Sequence, residues 1–126
     1  ANTYLSIDRM TSIEEQASLF SVLADPTRLK LLRLLFQQQE TNALCVNALA
    51  SQLGVTQSAV SQHLRVLKSA DLVRGKRRGY RIHYFINPEG LIHAQQQISN
   101  ALDLEGQTTD VNSQEKSGSL KHHQAL

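Results

Sequence analysis

Residues 56–84 read TQSAVSQHLRVLKSADLVRGKRRGYRIHY, a short polar helix pattern followed at once by a basic, glycine-bounded ribbon. Thr56 is suited to cap a helix, and Val60, Leu64 and Leu67 recur at i, i+4 and i+7, which marks one buried face. Asp71 ends the pattern. Two short alternating strands follow, LVRGK and YRIHYFI, joined around Arg77-Arg78-Gly79. Leu72, Val73, Ile82, Tyr84 and Ile86 supply the ribbon's inward side, and its basic residues point out. Residues 56–87 hold seven Lys or Arg against the single Asp71, a local balance of +6 in a chain whose formal net charge is +2. The rest of the chain is therefore net acidic.

Upstream, LCVNALASQL at residues 44–53 predicts a short helix with Leu44, Ala48 and Leu49 inward, stopped by Gly54. Helix, short glycine-containing turn and helix make a helix-turn-helix. Before the polar break QQQETN, Asp25-Pro26 opens another helix, because the aspartate caps free N–H groups and proline costs nothing at the first position. That helix runs from Pro26 to Gln38, with Leu29, Leu32, Leu35 and Phe36 at helical spacing and Arg28, Lys30 and Arg33 on a solvated side. Earlier still, Ser12 with Glu15 reads as a capping box, and Ile13, Ala17, Phe20 and Ala24 form one apolar face. Downstream, Pro88 opens a last helix over residues 88–104, with Leu91, Ala94, Ile98, Ala101 and Leu102 on one side.

These elements divide the 126 residues into an arm, 1–11, a domain, 12–104, and a tail, 105–126. The tail is too polar to offset the entropy of ordering and is expected to be disordered. The expected fold is mainly α with a small β-hairpin, an α+β winged helix-turn-helix. Cys45 is the only cysteine, which excludes an intrachain disulfide and a cysteine-rich zinc module and favours a reducing, cytoplasmic setting. No apolar run approaches the roughly 20 residues of a membrane span, and the N-terminus lacks a signal-peptide pattern. There is no phosphate-binding glycine loop, recognisable nucleophile or carboxylate cluster, so an enzyme is not expected.

The charge layout points to duplex DNA. On the second helix of the pair, Gln57, Ser58, Ser61, Gln62, His63 and Arg65 lie off the buried face, as side chains able to bond base edges in a major groove. For His63 a packing role competes with base reading. Thr56, Lys68, Lys76, Arg77, Arg78 and Arg81 are placed to meet phosphates, with Gly75 and Gly79 letting the ribbon turn tightly and approach the duplex. A winged helix that binds an acidic protein partner is the competing reading from another class.

LADPTRLKLLRLL at 23–35, LCVNALASQLGVTQSAVSQHLRVLKSADLV at 44–73 and the RGKRRGYRIHYFI wing together resemble the ArsR/SmtB family of bacterial winged-helix repressors. The resemblance covers about residues 12–104. It implies a homodimer on a double-stranded operator, with the first and last helices forming the interface, which would use Ile13, Ala17, Phe20, Leu91, Ile98 and Leu102. Family members that sense soft metals carry two cysteines in a pattern like LCVC, where this chain has Leu44-Cys45-Val46-Asn47. One thiolate does not make a trigonal or tetrahedral soft site. Zinc sensors pair Asp-x-His with a later His-x-x-Glu, and neither motif is present. Glu89 and His93 are four apart and share a helix face, a partial site at most. The expectation is a repressor with no cofactor and no conventional metal site. The alternative is one responding to metal or thiol chemistry through Glu89 and His93 or through Cys45, which otherwise reads as a small core residue.

Overall fold

The computed structural model describes residues 2–39 and 42–102, with the side chains of the first helix from Ile13 onward. The elements in order are α1 (Asn2–Leu23), α2 (Pro26–Gln37), α3 (Val46–Leu53), α4 (Gln57–Ser69), β1 (Val73–Arg78), β2 (Arg81–Ile86) and α5 (Pro88–Ala101). The strands form one antiparallel hairpin. This is the winged helix-turn-helix expected from the sequence. The predicted tail, residues 105–126, lies outside the described residues.

α1 begins at Asn2, not at Ser12, so the predicted arm is helical and Ser12 lies inside the helix. Residues 2–11 contain neither glycine nor proline, and nothing in them stops the helix from extending. The apolar face read for α1, which the resemblance assigns to a dimer contact, is turned outward in the protomer. Leu19 is buried with Val22 and Leu23 packed beside it, whereas Ile13, Ala17 and Phe20 are exposed. α1 thus carries two apolar stripes, of which the protomer buries one.

At the start of α2, Asp25 Oδ1 accepts from the amides of Thr27 at 2.8 Å and Arg28 at 3.1 Å. The N–H of Arg28, opposed by burial and joined by the charge of His63 and the N–H of Thr27, holds the Asp25 carboxyl below its ordinary value of 3.8. A depressed folded pKa contributes stability that is present above the unfolded value and lost as pH falls through the folded one. Wild type is therefore expected to lose more thermal stability than Asp25→Asn as pH drops through and below 3.8. Asparagine keeps the cap but does not titrate there, so parallel Tm-versus-pH curves would contradict this account.

α2 buries Leu31, Leu32 and Leu35. Leu29 and Phe36, expected inside, are 51% and 56% exposed. The run LKLLRLLF holds more leucines than one face can bury, and packing selects the Leu31, Leu32, Leu35 phase. α3 starts two residues later than expected, with Cys45 as its N-cap, and buries Leu49 and Ala50. Leu44 and Ala48 are half-buried.

α3 and α4 close with the same backbone device. Gly54 sits in the left-handed region at φ 67°, and the amides of Gly54 and Val55 return to the carbonyls of Ser51 and Ala50. After α4, Asp71 takes the left-handed position at φ 61°, while Asp71 and Leu72 bond back to Lys68 and Leu67. Thr56 Oγ1 accepts from Ala59 N at 3.0 Å, which confirms it as the N-cap of α4. Val60, Leu64 and Leu67 are fully buried, as the spacing predicted.

The hairpin pairs Val73 with Ile86, Gly75 with Tyr84, Arg77 with Ile82 and Arg78 with Arg81, leaving a two-residue turn at Gly79-Tyr80. The expected turn at Arg77-Arg78-Gly79 is displaced toward the C-terminus. Gly79 has φ 66° and serves the turn, but Gly75 lies within β1. A Cβ at Gly75 would stand 2.9 Å from Ile82 Cγ2, so this glycine permits close packing inside the ribbon, not a turn. At the base, Asn87 N donates to Leu72 O and Asn87 Nδ2 to Asp71 O, both at 3.0 Å, and α5 starts at the next residue. Ala94 is its buried residue, and Leu91 and Ile98 pack against the core.

Candidate nucleic-acid interface

α4 turns Val60, Leu64 and Leu67 into the core, and its other side presents Gln57, Ser58, Ser61, Gln62 and Arg65, all exposed. Ser58, Ser61, Gln62 and Arg65 lie at helical spacing on one surface. Gln57 Nε2 donates to Asn47 Oδ1 of α3, so this first residue of α4 also pins the helix pair together. Lys68 is exposed in the last turn of α4, where a cation suits the carbonyl end of the helix.

His63 is placed differently from the other predicted readers. It is half-buried, and its Nδ1 accepts from Arg28 Nε of α2 at 3.2 Å. Arg28 Nη1 also donates to the carbonyls of Val22 at 3.1 Å and Ser21 at 3.4 Å, the end of α1. One guanidinium thus ties the C-terminus of α1 to α4. Sequence reasoning assigned Arg28 to a solvated side, and no local spacing announces a contact across 35 residues.

The ribbon register sorts the basic residues by face. Alternation places Arg74, Lys76, Arg78 and Arg81 on one side with His83 and Phe85, whereas Arg77 shares the opposite side with Gly75, Ile82 and Tyr84. Arg77 and Arg78 therefore do not form one patch. The Arg78 guanidinium stacks over the Phe85 ring, 5.4 Å from its centroid, which orients the charge along the ribbon. His83 Nδ1 is buried without a hydrogen-bond partner among the described residues. Ile82, expected to face inward, is 42% exposed near the outer end of the hairpin.

Cys45 is not a core residue. It is half-buried and lines a cleft of about 230 Å³ with Asn47 and Gln57 of the helix pair and Arg81 and Ile82 of the wing. The N–H of Ala48, opposed by burial, lowers the thiol's pKa from its ordinary value, with the N–H of Asn47 and the charge of Arg81 acting in the same direction.

Glu89 and His93 line a larger cleft, about 690 Å³, between α1, the end of α4 and the start of α5. Gln97 Nε2 lies 3.3 Å from both His93 Nε2 and Glu15 Oε2. Among the described residues, no three His, Cys, Asp or Glu side chains are grouped to hold a metal ion. No described helix is long and apolar enough to cross a membrane.

Of the residues expected at a dimer interface, Ile13, Ala17, Phe20 and Leu102 are exposed in the protomer. Leu91 and Ile98 are half-buried in its own core, and α5 instead exposes Ile92.

Residues 25–74 match the model of the bacterial regulatory protein family named for arsR. The chain is 36% identical over 89 residues to a transcriptional repressor SmtB homolog of Synechocystis, an alignment covering 71% of this chain and 64% of that protein. It is 35% identical over 77 residues to an uncharacterised HTH-type transcriptional regulator of Methanocaldococcus jannaschii, covering 61% of this chain and 83% of the relative. The fold superposes with a TM-score of 0.59 on the homodimeric winged helix-turn-helix DNA-binding domain of a possible ArsR-family regulator from Mycobacterium bovis. The identity there is 28%, with 76% of this chain and 85% of that one covered.

Proposed function

Because the chain belongs to the ArsR family of bacterial regulatory proteins, we propose that it is a DNA-binding transcriptional regulator, a homodimeric repressor of an inverted-repeat operator. One observation carries this reading. An exposed face of serine, glutamine and arginine on α4 stands beside a ribbon whose one side gathers Arg74, Lys76, Arg78 and Arg81. Ser58, Ser61, Gln62 and Arg65 read base edges in the major groove, with Gln57 and His63 contributing from positions already held by Asn47 and Arg28. Thr56, Lys68, Lys76, Arg77, Arg78 and Arg81 hold phosphates. Binding and dimerisation belong to the unit at residues 12–104, and the protein works in the cytoplasm as a regulator, not a catalyst.

The exposed α1 stripe of Ile13, Ala17 and Phe20, with Ile92 of α5 and Leu102 at its C-cap, gives the dimer its apolar contact. Leu91 and Ile98 support that face from behind. Two-fold symmetry then sets half-sites about one helical turn apart. Ser58→Ala or Gln62→Ala is expected to cost about 1 to 3 kcal/mol on the preferred duplex and little on random DNA. Fluorescence anisotropy on both duplexes, with sedimentation to establish the dimer, checks this. Equal losses on the two DNAs, or a monomer with no preference for inverted repeats, would defeat it.

The repressor is not relieved by a conventional metal. A high-affinity site needs three or four placed donors, and an effector acts only through a difference in affinity between two states. DNA affinity is expected to stay unchanged as zinc, cadmium, nickel or arsenite is added to protein truncated before His122 and His123. Release at a stoichiometric dose of any of these, abolished by His93→Ala or Cys45→Ser, would restore metal sensing as the mechanism. The lowered Cys45 thiol in its cleft favours thiol chemistry as the second reading of the effector, tested by oxidant-induced release that Cys45→Ser prevents.

A further inference from the structure

The outermost point of the hairpin is an aromatic side chain that stands clear of the other described residues. Tyr80 is wholly exposed, at 106% of its reference area, and occupies the second position of the Gly79-Tyr80 turn. β1 leaves the core at the buried Val73, and six strand residues at roughly 3.3 Å each carry the tip about 20 Å outward. The tip is a tight two-residue turn. Gly79 fixes the turn with φ 66°, the strands are paired up to Arg78 and Arg81, and Arg78 is stacked over Phe85.

We propose that Tyr80 is a specificity-determining residue that enters the minor groove flanking the major groove occupied by α4 and distinguishes A·T from G·C pairs there. This rests on the DNA-binding reading above. The two residues flanking the turn, Arg78 and Arg81, are cations, so the tip arrives at a duplex edge with charges suited to the phosphates on its rims. A flat ring fits a groove about 6 Å wide, and its apolar faces meet the sugar walls, where exposure to water ends. The phenol hydroxyl donates to the acceptors on the groove floor, adenine N3 and thymine O2. At a G·C pair the guanine amino group projects from the same floor and obstructs the ring.

The full chain is first used to select its preferred duplex from a randomised pool. The base pairs under the wing are then made A·T, G·C or inosine·cytosine. Inosine lacks the guanine amino group, so its pair resembles A·T in the minor groove while keeping the G·C pattern in the major groove. Wild type is expected to bind the A·T and inosine·cytosine flanks alike and the G·C flank about tenfold more weakly. Tyr80→Ala is expected to lose the distinction and bind all three as weakly as wild type binds G·C. Tyr80→Phe should retain the steric rejection of G·C but bind the other two flanks less tightly for want of the hydroxyl. If Tyr80→Ala keeps the wild-type flank profile, the tyrosine's role is overturned while the regulatory reading stands. If inosine·cytosine behaves like G·C, the discrimination lies in the major groove and the proposal fails. If wild type selects no duplex, the regulatory reading itself fails and this one with it.

Discussion

Gly90→Ala is expected to destabilise the protein by about 3 kcal/mol, the upper part of the range for overpacking a tight contact. A Cβ at this position would lie 1.7 Å from Asp71 O and 2.8 Å from Asp71 C, with Asn87 Nδ2 at 3.0 Å. Neither of the first two atoms can yield cheaply. Asp71 is held in the left-handed region by the bonds that close α4, and the adjoining Leu72 carbonyl receives the Asn87 amide. Alanine raises helix propensity by about 1 kcal/mol over glycine, so a solvent-facing glycine in α5 would give the opposite sign. Here the collision wins, because relief requires α5 to move away from the end of α4. Gly54→Ala provides the contrast: its added methyl meets nothing within 4 Å, and only the φ of 67° opposes it. Urea unfolding of the two variants separates steric from conformational cost. A Gly90→Ala protein as stable as wild type would show that α5 approaches the α4–β1 turn less closely than described.

Neutralising Lys76, Arg77, Arg78 and Arg81 together is expected to flatten the salt dependence of duplex binding by about three to four units of log slope, at roughly 0.9 for each phosphate no longer neutralised. The affinity should fall nearly equally on preferred and random duplexes, because phosphate contacts carry no sequence information. Single variants resolve the faces. Arg78→Ala and Arg81→Ala remove charges from the side shared with Arg74 and Lys76, whereas Arg77→Ala removes one from the side of Ile82 and Tyr84. A drop of about one unit for all three would mean that the ribbon straddles a backbone, and a drop for the first two alone that one side tracks it. An unchanged slope in the fourfold variant would remove the wing from the DNA interface and leave an acidic protein partner as its better match.

Much of this was legible in the sequence wherever the signal is local. Asp25-Pro26 sets a helix start because cap and proline act within one turn, and Gly54 sets a stop because ready access to positive φ is a property of glycine itself. Val60, Leu64 and Leu67 declare the inner face of α4, since Ser58, Ser61, Gln62 and Arg65 leave only one apolar stripe to bury. The faces of α1 and α2 were not legible in that way. Both helices carry more apolar residues than one stripe holds, and only the neighbouring elements select Leu19 over Phe20, or Leu31 over Leu29 and Phe36.

The wing shows where the boundary falls. Local alternation and the placement of charge and glycine determined a basic glycine-bounded hairpin, but its turn lies at Gly79-Tyr80, beyond the expected Arg77-Arg78-Gly79. Strand side chains alternate with period two, so pairing decides which face each residue takes. It divides Arg77 from Arg78 and leaves Tyr80 at the tip. Tertiary structure alone joined Arg28 to His63, brought Cys45 to Arg81 and pressed Gly90 against Asp71. These contacts link residues far apart in the chain, and their geometry depends on where whole helices and strands come to rest, which no short-range propensity encodes.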